Sequence, residues 1–259
     1  RFRMADGLIR YGLLENGDTL RLIGGNVFGN WYPTQTTVPL AEVKLLAPVD
    51  PPNIFAIGLN YRLHAQESNA PIPERPIIFI KATTAVIGPD DNIVLPKVAP
   101  NEVDYECELS IVIGKRARHV SEAEALNYVL GYTCGNDVSA RDCQLRLDKQ
   151  WARAKSFDTF APLGPWIETD MDPDNAPIRT RLNGRTMQDL NTNDMIFNCR
   201  QLISHLSEAF TLLPGTVIMT GTPQGVGFAR KPPVFLRPGD VVEIEIEGIG
   251  VLRNPVVAE

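Results

Sequence analysis

The stretch Val103-Asp104-Tyr105-Glu106-Cys107-Glu108-Leu109-Ser110-Ile111-Val112-Ile113-Gly114 decides how this chain is read. Its second half, Leu109–Ile113, is apolar on both faces of an extended strand, which implies cover on both sides. Side chains alternate along a strand, so Glu106 and Glu108 point the same way, roughly 7 Å apart. Two readings stand. Either the pair lies on a solvated strand end, or it leads into the interior and needs a cation or strong donors, because an unpaired buried charge is very costly. Glu243-Ile244-Glu245-Ile246-Glu247 is an internal control. It has the same spacing, but one face is all Glu and it follows the turn Pro238-Gly239-Asp240, so it reads as an ordinary half-exposed strand.

Further along, Gly131-Tyr132-Thr133-Cys134-Gly135-Asn136-Asp137-Val138-Ser139-Ala140-Arg141-Asp142 supplies a third carboxylate, Asp137. It reads either as a capping acid before a helix or as a rigidly placed ligand. Glu106, Glu108 and Asp137 together, with no His or Cys, would suit a hard ion such as Mg²⁺, Mn²⁺ or Ca²⁺ and disfavour zinc. Upstream, Ile57-Gly58-Leu59-Asn60-Tyr61-Arg62-Leu63-His64-Ala65-Gln66-Glu67 sets His64 and Glu67 three apart, in reach of each other on one helical turn. A carboxylate that orients an imidazole makes a general base; the plain alternative is a surface His beside a Glu. The proline-rich Ser68–Pro76 that follows reads as a loop able to act as a lid.

Cations come next. Lys155 lies in Trp151-Ala152-Arg153-Ala154-Lys155-Ser156-Phe157-Asp158, and Arg141 and Gln144 share a helix face three residues apart. Surface roles are the usual fate of such side chains. Thr220-Gly221-Thr222-Pro223-Gln224-Gly225-Val226-Gly227 follows a strand and reads as a turn offering backbone N–H groups to an anion, or as a glycine-rich turn without function. It lacks the Lys-Ser or Lys-Thr of a nucleotide phosphate loop. His119 and His205 have no comparable context and read as structural or exposed.

Whole-chain properties narrow the class. The 259 residues carry 25 Lys plus Arg against 31 Asp plus Glu, a net charge of −6, which argues against nucleic acid as a partner. No apolar run approaches the ~20 residues of a spanning helix. Cysteines at 107, 134, 143 and 199 include no CxxC pair, so neither zinc knuckles nor a disulfide framework is indicated. No secretory signal precedes the first strand-like segment. A cytoplasmic enzyme from a reducing compartment is the default expectation.

Asn16-Gly17 predicts a hairpin between Leu8–Leu14 and Thr19–Ile23. Three prolines in Ala47–Pro52 suggest a stiff linker, dividing residues 1–48, a small N-terminal β unit, from the main domain 49–259. Three helices are expected. The first is capped by Ser121 with Glu124 and carries Leu126, Val129 and Leu130. The second runs from Ser139 to about Lys149, and the third starts at Asn198 with Leu202, Ile203, Leu206 and Phe210 on one face before Pro214-Gly215. Ile77–Ile80, Leu109–Ile113, Val217–Thr220 and Val241–Ile246 read as strands. Strands are not regularly followed by helices, so an α+β fold on mixed or rolled sheets fits better than a doubly wound one.

Taken in order, these segments resemble the fumarylacetoacetate hydrolase family. The matching pieces are Gly58–Tyr61 with His64 and Glu67, Tyr105–Leu109, Gly135–Asp142, Lys155–Asp158 and Thr220–Gly227, and the resemblance covers about residues 53–255. It implies a homodimeric enzyme with a rolled mixed β-sheet around Mg²⁺ or Mn²⁺, with Ca²⁺ able to replace them in a crystal. By resemblance Glu106, Glu108 and Asp137 match metal ligands, and His64 with Glu67 matches a water-activating pair. Lys155, Arg141, Gln144 and Thr222 match substrate-contacting positions. The substrates implied are 2-oxo acids able to form an enolate. The leading expectation is a hydrolase cleaving the carbon–carbon bond of acylpyruvate-like 1,3-diketo acids. A second keeps the enolate without the water, decarboxylating or isomerising oxaloacetate-like or 2-hydroxyhepta-2,4-diene-1,7-dioate-like acids. A third, from another class, is a non-catalytic Ca²⁺-stabilised binding module, which leaves His64, Glu67 and Lys155 without work.

Overall fold

The computed structural model describes residues 1–259. At its centre the strand Cys107–Ile113 is buried along its whole length, as its two apolar faces require. It runs antiparallel to Val129–Asn136 on one side and to Val217–Met219 on the other. Val217–Met219 lies parallel to Ile54–Ile57, which pairs antiparallel with Ile78–Lys81. On the far side come Ala161–Glu168 and, parallel to it, Val86–Ile87, completing a mixed seven-stranded sheet.

A second, five-stranded sheet runs in the order Ile93–Leu95, Gly250–Ala258, Val241–Ile246, Pro177–Leu182, Arg185–Asn191. Its inward side chains, among them Ile178, Ile244 and Leu252, join Leu109, Ile111 and Leu163 of the first sheet in one apolar core. The fold is thus α+β, a curled mixed sheet with few helices. Glu243 and Glu245 lie half-exposed on the other face of this second sheet, where Arg181 Nε reaches Glu243 Oε2 at 3.0 Å and also pairs with Glu245. That strand behaves as its alternation predicts.

Residues 1–48 carry two three-stranded sheets. Asn16 and Gly17 both take positive φ, 54° and 80°, in the three-residue turn 16–18 between the paired residues Glu15 and Thr19. The hairpin joins Gly12–Glu15 to Thr19–Gly25, whereas Ile9–Arg10, expected in the same arm, pairs with Phe2–Arg3 in the other sheet. Tyr11 marks the break: its carbonyl accepts from Ile23 N–H at 2.9 Å as the chain passes between the two sheets.

Of the three expected helices, one forms as expected. Cys199–Ala209 is capped by Asn198, whose Oδ1 accepts from Gln201 N–H at 3.0 Å while Gln201 Oε1 accepts from Asn198 N–H at 3.0 Å. Leu202, Ile203 and Leu206 are its buried face. The Ser121 segment gives only the short 3₁₀ turn Ala125–Tyr128. Ser121 Oγ meets Glu124 Oε2 at 3.0 Å, but Val129 and Leu130 are drawn into a central strand. Ser139, expected as a cap, lies in a two-residue strand paired with Val103–Asp104, and its Oγ donates to Asp137 O at 2.8 Å. The chain coils only after it, in a wide π turn over Cys143–Leu147, where Asp142 Oδ1 accepts from Cys143 N–H at 2.7 Å. Strand pairing across the sheet overrode local helix signals in both places.

Candidate active site

The register of two antiparallel neighbours gathers the three acids. Cys107 faces Asn136 and Glu108 faces Gly135, so Glu106 and Asp137 leave adjacent strand ends side by side. Asp137 N–H donates to Glu106 O at 3.0 Å, and Asn136 Oδ1 accepts from Glu106 N–H at 3.0 Å. One carboxylate oxygen from each of Glu106, Glu108 and Asp137 lies within 4.8 Å of the others, and all three residues are buried. The solvated reading of Glu106 and Glu108 therefore fails, and so does the helix-capping reading of Asp137.

Three cations and a fourth acid surround them. Lys155, at the end of the short helix Ala152–Lys155, places Nζ 2.8 Å from Glu106 Oε2 and 2.6 Å from Asp137 Oδ2. Arg141 Nη2 lies 2.7 Å from Glu106 Oε1 and 2.8 Å from Asp104 Oδ2. Lys81, last residue of Ile78–Lys81, pairs with Asp137 and is 1% exposed. Burial alone would raise the Glu106 carboxyl, but Lys155 and Arg141 outweigh it and hold the group well below the usual carboxylate range. Glu108 is the exception. It has no Lys or Arg partner, only Gly221 N–H donating to Oε2 at 2.8 Å. Burial, with the charges of Asp137 and Glu106, pushes its carboxyl far up. A buried all-oxygen donor set with one acid lacking a cationic partner fits a hard divalent ion.

His64 and Glu67 do share a helix, Arg62–Glu67, and His64 Nδ1 stands 3.2 Å from Glu67 Oε2. His64 is 9% exposed. Arg141 Nη1 donates to Gln144 Oε1 at 2.8 Å, although the helix expected to link them is a distorted turn. Thr222 Oγ1 accepts from the buried Gln188 Nε2 at 2.8 Å. The loop 220–227 does offer backbone N–H groups to anions, here carboxylates of the protein itself: Gly221 donates to Glu108, Gly225 to Glu67 and Gly227 to Asp104.

Lys81 and Asp104 escaped the sequence reading. Each carried a signal, a charged residue at the end of Ile77-Ile78-Phe79-Ile80 and one opening the central strand. Asn60 is a further site residue, with no signal of its role in the sequence around it. It ties the site together through Nδ2, which donates to Thr220 O at 2.7 Å and Phe197 O at 3.0 Å. His119 is exposed and His205 half-buried on its helix, away from this cluster's bonds.

A family model described as "Fumarylacetoacetate (FAA) hydrolase C-terminal" matches residues 53–257, where all nine site residues lie. The chain belongs to the fumarylacetoacetate hydrolase family. A second model, "Rv2993c-like, N-terminal", matches residues 1–48. The chain is 45% identical over 248 residues to "Oxaloacetate tautomerase Fahd2a, mitochondrial" of Rattus norvegicus, covering 94% of this chain and 78% of that one. The structure of a 5-carboxymethyl-2-hydroxymuconate delta-isomerase from Mycobacterium smegmatis superposes with a TM-score of 0.89 at 45% identity, covering 100% of this chain and 98% of that one. A fumarylacetoacetate hydrolase from Exiguobacterium antarcticum gives 0.90 at 36% identity, with coverage of 100% and 98%. Of these three relatives, the two that are 45% identical carry the names of a tautomerase and an isomerase, and the one that is 36% identical that of a hydrolase. No helix is long and apolar enough to cross a membrane. A relative named mitochondrial removes the ground for carrying the cytoplasmic expectation forward.

Proposed function

We propose that this protein moves a proton on an enolisable dicarboxylic 2-oxo acid or its 2-hydroxy-enoic form, as a tautomerase or isomerase of oxaloacetate-like or hydroxymuconate-like acids. The observation that carries this reading is the buried triad Glu106, Glu108 and Asp137 beside a carboxylate-oriented histidine. Those three acids would hold Mg²⁺ or Mn²⁺, which when bound supplies positive charge that favours an enolate over its ketone. His64 would carry the proton between the enol oxygen and carbon in either direction, or from one carbon to a more distant one. Its Nδ1, turned toward Glu67, leaves Nε2 to make that transfer. Lys155 would add fixed positive charge beside the same oxygens, and Arg141, Gln144 and Thr222 would contact the substrate. Proton relocation breaks no carbon–carbon bond and requires no attacking water.

The names of the relatives support this over cleavage. Acylpyruvate hydrolysis is a second reading, favoured by the His64–Glu67 pair, which suits water activation, and by the Exiguobacterium resemblance. Homodimeric assembly and a boundary near residue 48, between an N-terminal β unit and the catalytic domain 49–259, belong to the same proposal. The test is a panel of enol-oxaloacetate, hydroxymuconate-type acids and acylpyruvates with Mg²⁺ or Mn²⁺, followed by enol absorbance and product NMR. Loss of the enol without release of CO₂ or pyruvate is expected. Faster production of pyruvate and a free carboxylic acid from acylpyruvates would overturn it in favour of hydrolysis.

A further inference from the structure

The backbone of Gly225 is held at both its N–H and its carbonyl. Its N–H donates to both oxygens of Glu67, at 2.9 Å to Oε1 and 3.0 Å to Oε2. Its carbonyl accepts from Tyr105 Oη at 3.2 Å and from Arg230 Nε at 3.2 Å. Arg230 Nη2 also donates to Met187 O, the atom a β-carbon on Gly225 would strike, and Gly225 has φ of +98°. Only glycine brings this amide so close to its neighbours. Two donors on the carbonyl hold the Gly225 backbone in place, and so fix the direction in which its N–H points at the carboxylate.

The recipient needs such support. The helix Arg62–Glu67 has six residues and no side-chain cap, far below the length at which a helix holds itself together. Its first turn is tied down by Asp194 Oδ2, which accepts from Leu63 N–H at 3.0 Å. At its last turn Gly225 holds Glu67, and Glu67 Oε2 in turn meets His64 Nδ1. We infer that Tyr105 and Arg230 are positioning residues, which fix the Gly225 backbone so that its N–H docks the last turn of this helix and aims His64 through Glu67. The inference rests on the proton-transferring role proposed for His64. It adds that the glycine-rich loop works as the clasp of that helix.

Arg230→Met and Tyr105→Phe, made in the full chain and again in a Glu67→Ala background, test it. Hydrogen exchange of backbone amides 61–68 should quicken by roughly tenfold in either single variant, as expected for an element released from its docking contact. Turnover should fall by about tenfold with KM within about twofold, the signature of a misplaced group rather than weaker binding. In the Glu67→Ala background neither substitution should lower turnover further. Unchanged exchange over 61–68, or an equal loss of turnover with and without Glu67, would overturn the clasp. Where Arg230→Met does not fold, Tyr105→Phe carries the same test by removing one oxygen. Quickened exchange in a protein whose His64→Ala variant keeps full turnover would support the clasp and instead remove the role proposed for His64.

Discussion

Lys155 Nζ stands 2.8 Å from Glu106 Oε2, so an ammonium group is lodged against the same carboxylates that would ligate a metal. The lysine both neutralises the acids and opposes any incoming cation. At ~4 Å a unit charge contributes about 4 kcal/mol at an effective dielectric constant near 20, partly offset by desolvation. Lys155→Met should therefore bind Mn²⁺ at least about tenfold more tightly, while turnover drops by roughly 10²-fold for lack of its charge near the substrate oxygens. Calorimetric titration of the variant decides this: equal or weaker affinity would contradict the proposed placement of the ion.

His64→Ala should leave metal affinity intact and reduce turnover by roughly 10²–10⁴-fold, the usual worth of a positioned acid–base group. Steady-state rates with the best substrate of the panel measure it. Unaltered turnover would exclude His64 from the reaction.

Glu106→Ala should lose metal affinity and activity together, because it removes one of three ligands and leaves Lys155 and Arg141 partly unpaired in the interior. Chelation of the wild-type protein with EDTA should abolish activity, and Mg²⁺ or Mn²⁺ should restore it. A chelated sample that stays fully active would mean that the acid cluster serves structure alone.

Asn198→Ala removes one half of the reciprocal cap on Cys199–Ala209. The expected cost is about 1 kcal/mol. In a chain of this size that lowers Tm by roughly 2–4 °C without a change in turnover. Differential scanning calorimetry is the check, and an unshifted transition would show that packing of Leu202, Ile203 and Leu206 holds the helix end without the cap.

The legible parts of the fold were those where local pattern and tertiary demand agree. Val241–Ile246 alternates and is half-exposed as its sequence implies; Asn16-Gly17 turns the hairpin because both residues tolerate positive φ. The cap at Asn198 works because the apolar stripe behind it meets the core. Ser121 and Ser139 mislead for the opposite reason. Their cap-like sequences stand beside segments that long-range pairing claims as strand. Within the site, Glu106, Glu108, Asp137, His64 and Glu67 were visible as spacings. Lys81, Asp104 and the grip of Arg230 on Gly225 were not: Lys81 meets Asp137 across 56 residues and Asp104 meets Arg141 across 37, and the five-residue step from Gly225 to Arg230 follows no regular period.

By itself the sequence determined which groups are available: an all-oxygen set of acids, one carboxylate–imidazole pair at helical spacing, and a two-faced apolar strand that had to be buried. Only the tertiary structure decided that three of the acids share one buried point and that Glu108 alone among them lacks a cation. The reason is that charge compensation depends on distance through space, and distance between strands is set by register, which no single segment encodes.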